Sequence, residues 1–140
     1  MRQKDPLESN RLVGRTIKAI VVERGERALA FDTDKGALIW KARGDCCSEA
    51  WFSDIENVAA LLGGTVVSVV ERDAKHDVED GRSRQDYDEV YGYTITTNLG
   101  TSVIEFRNSS NGYYGGWCQE VEVDAAHFAD CRSITEDWSA

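Results

Sequence analysis

The chain has 140 residues, 41% hydrophobic and 29% charged, the size and balance of one globular domain able to bury about two thirds of its unfolded surface. Its 16 basic and 25 acidic residues leave a net charge of −9, which argues against non-specific binding to nucleic-acid backbones, because that requires a basic surface. The apolar neighbourhood 58–70 is broken by Gly63, Gly64, Thr65 and Ser68 and falls short of the roughly 20 apolar residues of a membrane span, so no membrane partner is expected.

In chain order, residues 1–11 read as a polar leader without the apolar stretch of a secretory signal, which makes a cytoplasmic location the expectation, with the cysteines as thiols. A single globular domain is expected over 12–124, followed by an acidic tail at 125–140. Within the domain, Thr16 to Glu23 is rich in β-branched residues and predicts a strand. Arg27 to Asp32 and Gly36 to Ala42 predict two more, joined by a turn at Asp32-Thr33-Asp34-Lys35-Gly36. Ser53 with Glu56 fits a capping box, and Ile55, Val58, Ala59 and Leu62 recur at helical spacing, so a helix is expected from Asp54 to Leu62. Thr65 to Glu71 predicts a strand at the centre of the sheet. The polar run Glu71 to Glu89 predicts a solvated loop or long hairpin tip. Tyr87 to Thr97 and Thr101 to Phe106 flank Asn98-Leu99-Gly100 as a hairpin, and Trp117 to Val123 alternates as a strand with one buried and one acidic face. Together these predict an α+β fold, a mostly antiparallel sheet of roughly six to eight strands with one short helix, with a small barrel or half-barrel as the alternative closure.

Two segments concentrate chemistry. In Arg107 to Trp117, RNSSNGYYGGW, the glycines allow close backbone approach and Arg107 can hold a phosphate. Asn108, Ser109, Ser110 and Asn111 can read ribose or base edges, and Tyr113, Tyr114 and Trp117 can stack on a planar ring. The second segment is Gly44-Asp45-Cys46-Cys47-Ser48 with Trp51, which adds Cys47, Ser48 and Trp51 to the candidate ligand-binding set. Turn formation and core packing by the same residues are the simpler alternative.

A zinc site from Cys46, Cys47, Cys118, His127 and Cys131 lacks any C-x2-C pair, so neither a metal nor another cofactor is expected. A cysteine nucleophile aided by His76 or His127 has no sequence context that fixes its geometry. GxxxxGK[ST], GxSxG and HExxH are absent from the sequence, which leaves binding favoured over catalysis.

GDCCS-x-x-W at Gly44 to Trp51, SDIENV-x-x-LLGG-x-V from Ser53 to Val66, and RNSSNGYYGGW resemble a functionally uncharacterised family of small bacteriophage and prophage proteins. The resemblance covers roughly residues 12 to 124 and implies a phage origin, hence the cytosol of a bacterial host. In size and expected architecture the chain is also similar to the Thoeris anti-defence sponges, which enclose a nucleotide signal without cleaving it. By that analogy the partner is a small nucleotide-like ligand. The alternatives are an acidic, DNA-mimicking inhibitor of a host defence protein, drawing on the acidic runs 77–80, 86–89 and 120–124, and a phage assembly protein. Open sheet edges and the aromatic segment predict a homo-oligomer.

Overall fold

The structure is a computed structural model that describes residues 10–45, 47–111, 115–125, 128 and 130–140. Ten strands, β1 (Ile17–Glu23), β2 (Ala28–Thr33), β3 (Gly36–Gly44), β4 (Glu49–Glu56), β5 (Val66–Glu71), β6 (Tyr87–Thr97), β7 (Gly100–Ser110), β8 (Gly116–Val123), β9 (Cys131–Ser133) and β10 (Trp138–Ser139), form two five-stranded sheets. The first sheet has the order β8-β3-β2-β1-β9 and the second β10-β4-β7-β6-β5, with every pairing between these strands antiparallel. The class is therefore mostly β rather than α+β, and the sheets do not close into a barrel.

Strand alternation sorts the side chains. Leu29 and Phe31 on β2, and Leu38 and Trp40 on β3, face Phe52, Tyr93, Ile95, Ile104 and Phe106 of the second sheet in one core. The Trp40 and Tyr93 rings meet edge-on across the sheets at 5.3 Å, a favoured aromatic geometry.

The helix expected from Asp54 to Leu62 is absent. Residues up to Glu56 continue β4, and only Val58–Ala60 form a 3-10 turn. Pairing from Glu49↔Ser109 to Glu56↔Val103 claims the backbone that the capping box would have used, and tertiary pairing outweighs a local helix signal of this size. The turn's Val58 N–H is satisfied by the distant Asp137 carboxylate at 2.9 Å. β5 is a sheet edge, not a centre: Val67 and Val70 are 62% and 57% exposed. On β8 the acidic residues are not all outward. Glu120 is buried beside Cys118 and accepts the indole N–H of Trp40 at 2.8 Å.

The stretch expected as a solvated loop is tied to the second sheet: along the edge of β6 that β5 leaves free, Lys75 bridges Val90 and Val78 N–H donates to Asp88 O, and further on the Arg84 and Gln85 N–H groups donate to Ser109 Oγ on the outer face. The stretch 125–140, expected as a tail, supplies β9 to the β1 edge and β10 to the β4 edge. Ile134 between them joins the core. Among the described residues no helix is long and apolar enough to cross a membrane.

Candidate functional site

The two chemistry-rich segments meet. Gly44, ending β3, pairs with Gly116, opening β8, and Asp45 N–H donates to Gly115 O at 3.1 Å. Both glycines are required by close approach. A Cβ on Gly44 would collide with Asn108 Oδ1 and Ser48 Oγ, and one on Gly116 would lie 2.9 Å from both Arg43 O and Asn108 Cβ. The turn that carries Ser48 into this junction passes through Cys47, an exposed residue at φ 70°, a left-handed conformation that costs a non-glycine residue about 1 kcal/mol or more.

The second sheet contributes polar groups to the same end of the core. Tyr91 stacks on Phe106 at 4.9 Å and accepts Gly116 N–H through its hydroxyl at 3.1 Å. That hydroxyl donates to Glu89 Oε1 at 3.2 Å, and Glu89 Oε2 is 2.6 Å from His76 Nδ1. Burial, joined by the neighbouring Glu89 charge and opposed by Gly116 N–H, pushes the Tyr91 phenol up to about 12, so it remains a neutral hydrogen-bonding group at neutral pH. The junction of Asp45, Ser48, Glu89, Tyr91, Asn108 and Gly116 thus brings hydroxyl, amide, carboxylate and backbone groups to one end of an otherwise apolar core. Such groups fit sugar hydroxyls and base edges.

Not every predicted residue arrives there, because Arg107 to Ser110 belong to a strand and not to a loop. Consecutive strand residues point to opposite faces. Asn108, like Phe106, faces the core side. Arg107 and Ser109 face outward beneath the segment 80–85, where Arg107 donates to Asp80 and to Asp88 Oδ2, the latter at 2.9 Å. Ser109 Oγ donates to Asp88 Oδ1 at 2.5 Å and accepts from the N–H groups of Arg84 and Gln85. The Arg107 guanidinium holds the Asp80 carboxyl down at about 2. Trp51, paired with Arg107 across β4 and β7, is also on this outer side, covered by the Arg84 guanidinium at 4.1 Å.

Ser110 is buried at the end of β7, Asn111 is exposed beyond it, and Trp117 is half-buried at the start of β8. Tyr113 and Tyr114 lie outside the described residues. Tyr91 and Glu89 were missed by sequence reasoning, although the odd-numbered alternation of YDEVYGY places them on one face, and His76 was weighed only as the partner of a cysteine nucleophile. Of the cysteines, Cys118 is on β8 and Cys131 on β9, the opposite edges of the first sheet, about 19 Å apart at the usual strand spacing. They do not share a metal site, and Cys46 and His127 lie outside the described residues.

A family model described as Domain of unknown function (DUF7448) matches residues 10–130. One relative, Uncharacterized protein L278 of Acanthamoeba polyphaga mimivirus, is 36% identical over 98 residues, which span 66% of this chain and 74% of that protein. No solved structure matches the chain.

Proposed function

The chain belongs to the DUF7448 family, whose matched span runs from β1 through β8 and contains the junction, and from that premise we propose that it is a viral accessory protein that binds and sequesters a small nucleotide-like signalling molecule without cleaving it. The observation that carries this reading is the convergence of Ser48, Asn108, Tyr91 and Glu89 on the side-chain-free Gly44–Gly116 pair. These groups are held in place by partners within the molecule, Ser48 by Asp45 O and Tyr91 by Glu89 and Gly116, and hydroxyl, amide and carboxylate groups so fixed are the kinds that read sugar hydroxyls and base edges. Trp117, the residue after Gly116, shares the outer face of the first sheet with its cross-strand partner Arg43 and points away from the junction. A bacteriophage source and a bacterial cytosol, where such signals circulate, belong to the same proposal, as does self-association along the β5 edge.

The alternative of an acidic mimic that occupies a host protein's DNA-binding surface is less well supported. Its acidic runs are partly engaged inside this molecule: Asp80 and Asp88 by Arg107, Glu89 by His76 and Tyr91, Glu120 by Trp40 and Glu122 by Arg15.

Native mass spectrometry of the protein purified from bacteria with an active nucleotide-signalling defence tests the reading. The expected result is an added small-molecule mass that is released on denaturation. A spectrum of bare protein from signalling cells overturns it.

A further inference from the structure

The outer face of the first sheet carries a feature unrelated to the motifs. Ile39, Lys41 and Arg43 alternate along β3 and share that face, while Trp40 and Ala42 between them are buried on the other. Arg27, just before β2, lies next to them, its carbonyl accepting Ala42 N–H at 2.8 Å. These residues line a groove of about 470 Å3 whose floor is Ala28 and Ile39 and whose lining includes Phe128, a volume in the range of small-molecule sites.

Three cations on one patch of a chain with net charge −9 need an explanation, since like charges at two-residue spacing on a strand repel. Arg43 donates to the neutral Gln119 at 3.1 Å. Arg27 and Lys41 make no ion pair or side-chain hydrogen bond among the described residues. Among the described residues, the one carboxylate in the lining is Glu23. By the register Val22↔Leu29 and Ala28↔Lys41, Glu23 lies two strands away from Lys41, about 10 Å at the usual strand spacing. The groove is therefore polarised, with positive charge at its β3 side and negative charge at its β1 side, over an apolar floor. Trp117 continues the positive side as the cross-strand partner of Arg43.

We infer that this groove binds a phosphorylated small molecule with a planar ring, in chemical class a nucleoside phosphate. The phosphates lie against Lys41, Arg43 and Arg27, where charge-assisted hydrogen bonds are available. The ring lies over Ile39 against Phe128, and Glu23 accepts from the sugar hydroxyls. These residues are not those of the junction, so the groove stands even if the junction binds nothing.

Isothermal titration of the full chain with ADP, pyrophosphate and adenosine separates the contributions. ADP is expected to bind best, pyrophosphate more weakly and adenosine least, with ADP affinity falling as salt is raised. Arg27→Gln and Lys41→Gln are each expected to lower ADP affinity about tenfold, the loss of one charge-assisted hydrogen bond. Arg27 is exposed and Lys41 half-buried, and unchanged thermal unfolding by circular dichroism verifies that each variant folds. Leu99→Ser, in the exposed turn between β6 and β7, is expected to leave ADP affinity unchanged. Failure of both ADP and pyrophosphate to bind overturns the assignment. So does a loss of affinity in Ser48→Ala with none in the two groove variants, which would assign the nucleotide to the junction.

Discussion

Arg107 is 2% exposed and Asp88 is 1% exposed, so each depends on the other for its charge to be tolerated. Asp88→Asn removes one of the two carboxylates on Arg107 and leaves it with Asp80. It is expected to cost about 2 kcal/mol, the loss of a hydrogen bond between charged groups, read as a lower urea midpoint with an unchanged slope; a midpoint equal to the parent's would mean that Asp80 alone satisfies the guanidinium. The same reasoning separates the two junction glycines. The atoms that a Gly44→Ala methyl meets are side-chain ends that can swing away, whereas Gly116→Ala pushes on the Arg43 carbonyl, which the β3–β8 ladder fixes. Gly116→Ala should lower the melting temperature more than Gly44→Ala. The reverse order would show that Asn108 and Ser48 are held more rigidly than the backbone beside them.

Strands with their own pattern were legible at the scale of elements. The β-branched run of β1, the alternation of β6 and β8 and the turns at 34–35 and 98–99 predicted segments that match the observed ladders closely. Where local and long-range signals competed, the sequence misled. Ser53 and Glu56 carry a helix cap's chemistry, but β7 offers seven residues of backbone to pair with, and nothing local reveals that partner. Arg107 to Ser110 look like a turn because they are polar, yet they are buried strand made possible by the 80–85 segment covering them. The candidate site was legible as two segments that belong together, Gly44 to Ser48 and Asn108 to Trp117. It was not legible which residues within them face the same way. β5 also had an ambiguous reading, since a run of valines suits a central strand as well as a sticky edge. With Val67 and Val70 exposed there, light scattering is expected to show concentration-dependent association that Val70→Lys abolishes. A parent protein that stays at 15.6 kDa at all concentrations would remove the β5 contact.

For the whole molecule, charge placement sets the pH range of stability. Asp80 titrates at about 2 instead of the usual 3.8. A depressed carboxylate contributes stability that is present above its unfolded value and is lost as pH falls from 3.8 through about 2. Tyr91 has the opposite sign. Raised from 10.0 to about 12, it leaves the fold unaffected below 10.0 and weakens it as pH climbs through about 12. Urea midpoints measured against pH should show the parent's advantage over Asp80→Asn shrinking on the acid side, and Tyr91→Phe escaping part of the alkaline decline. Profiles that run parallel throughout would reject both assignments.

The segment 131–139 gives each sheet a border, three residues of β9 against β1 and two of β10 against β4. A protease that removed it would expose two further strand edges per molecule, β1 and β4, in addition to β5 and β8. Bare edges recruit other chains. Limited digestion near Asp130 is accordingly a route from a dispersed protein to a growing fibre or precipitate, with no residue of the junction or the groove touched.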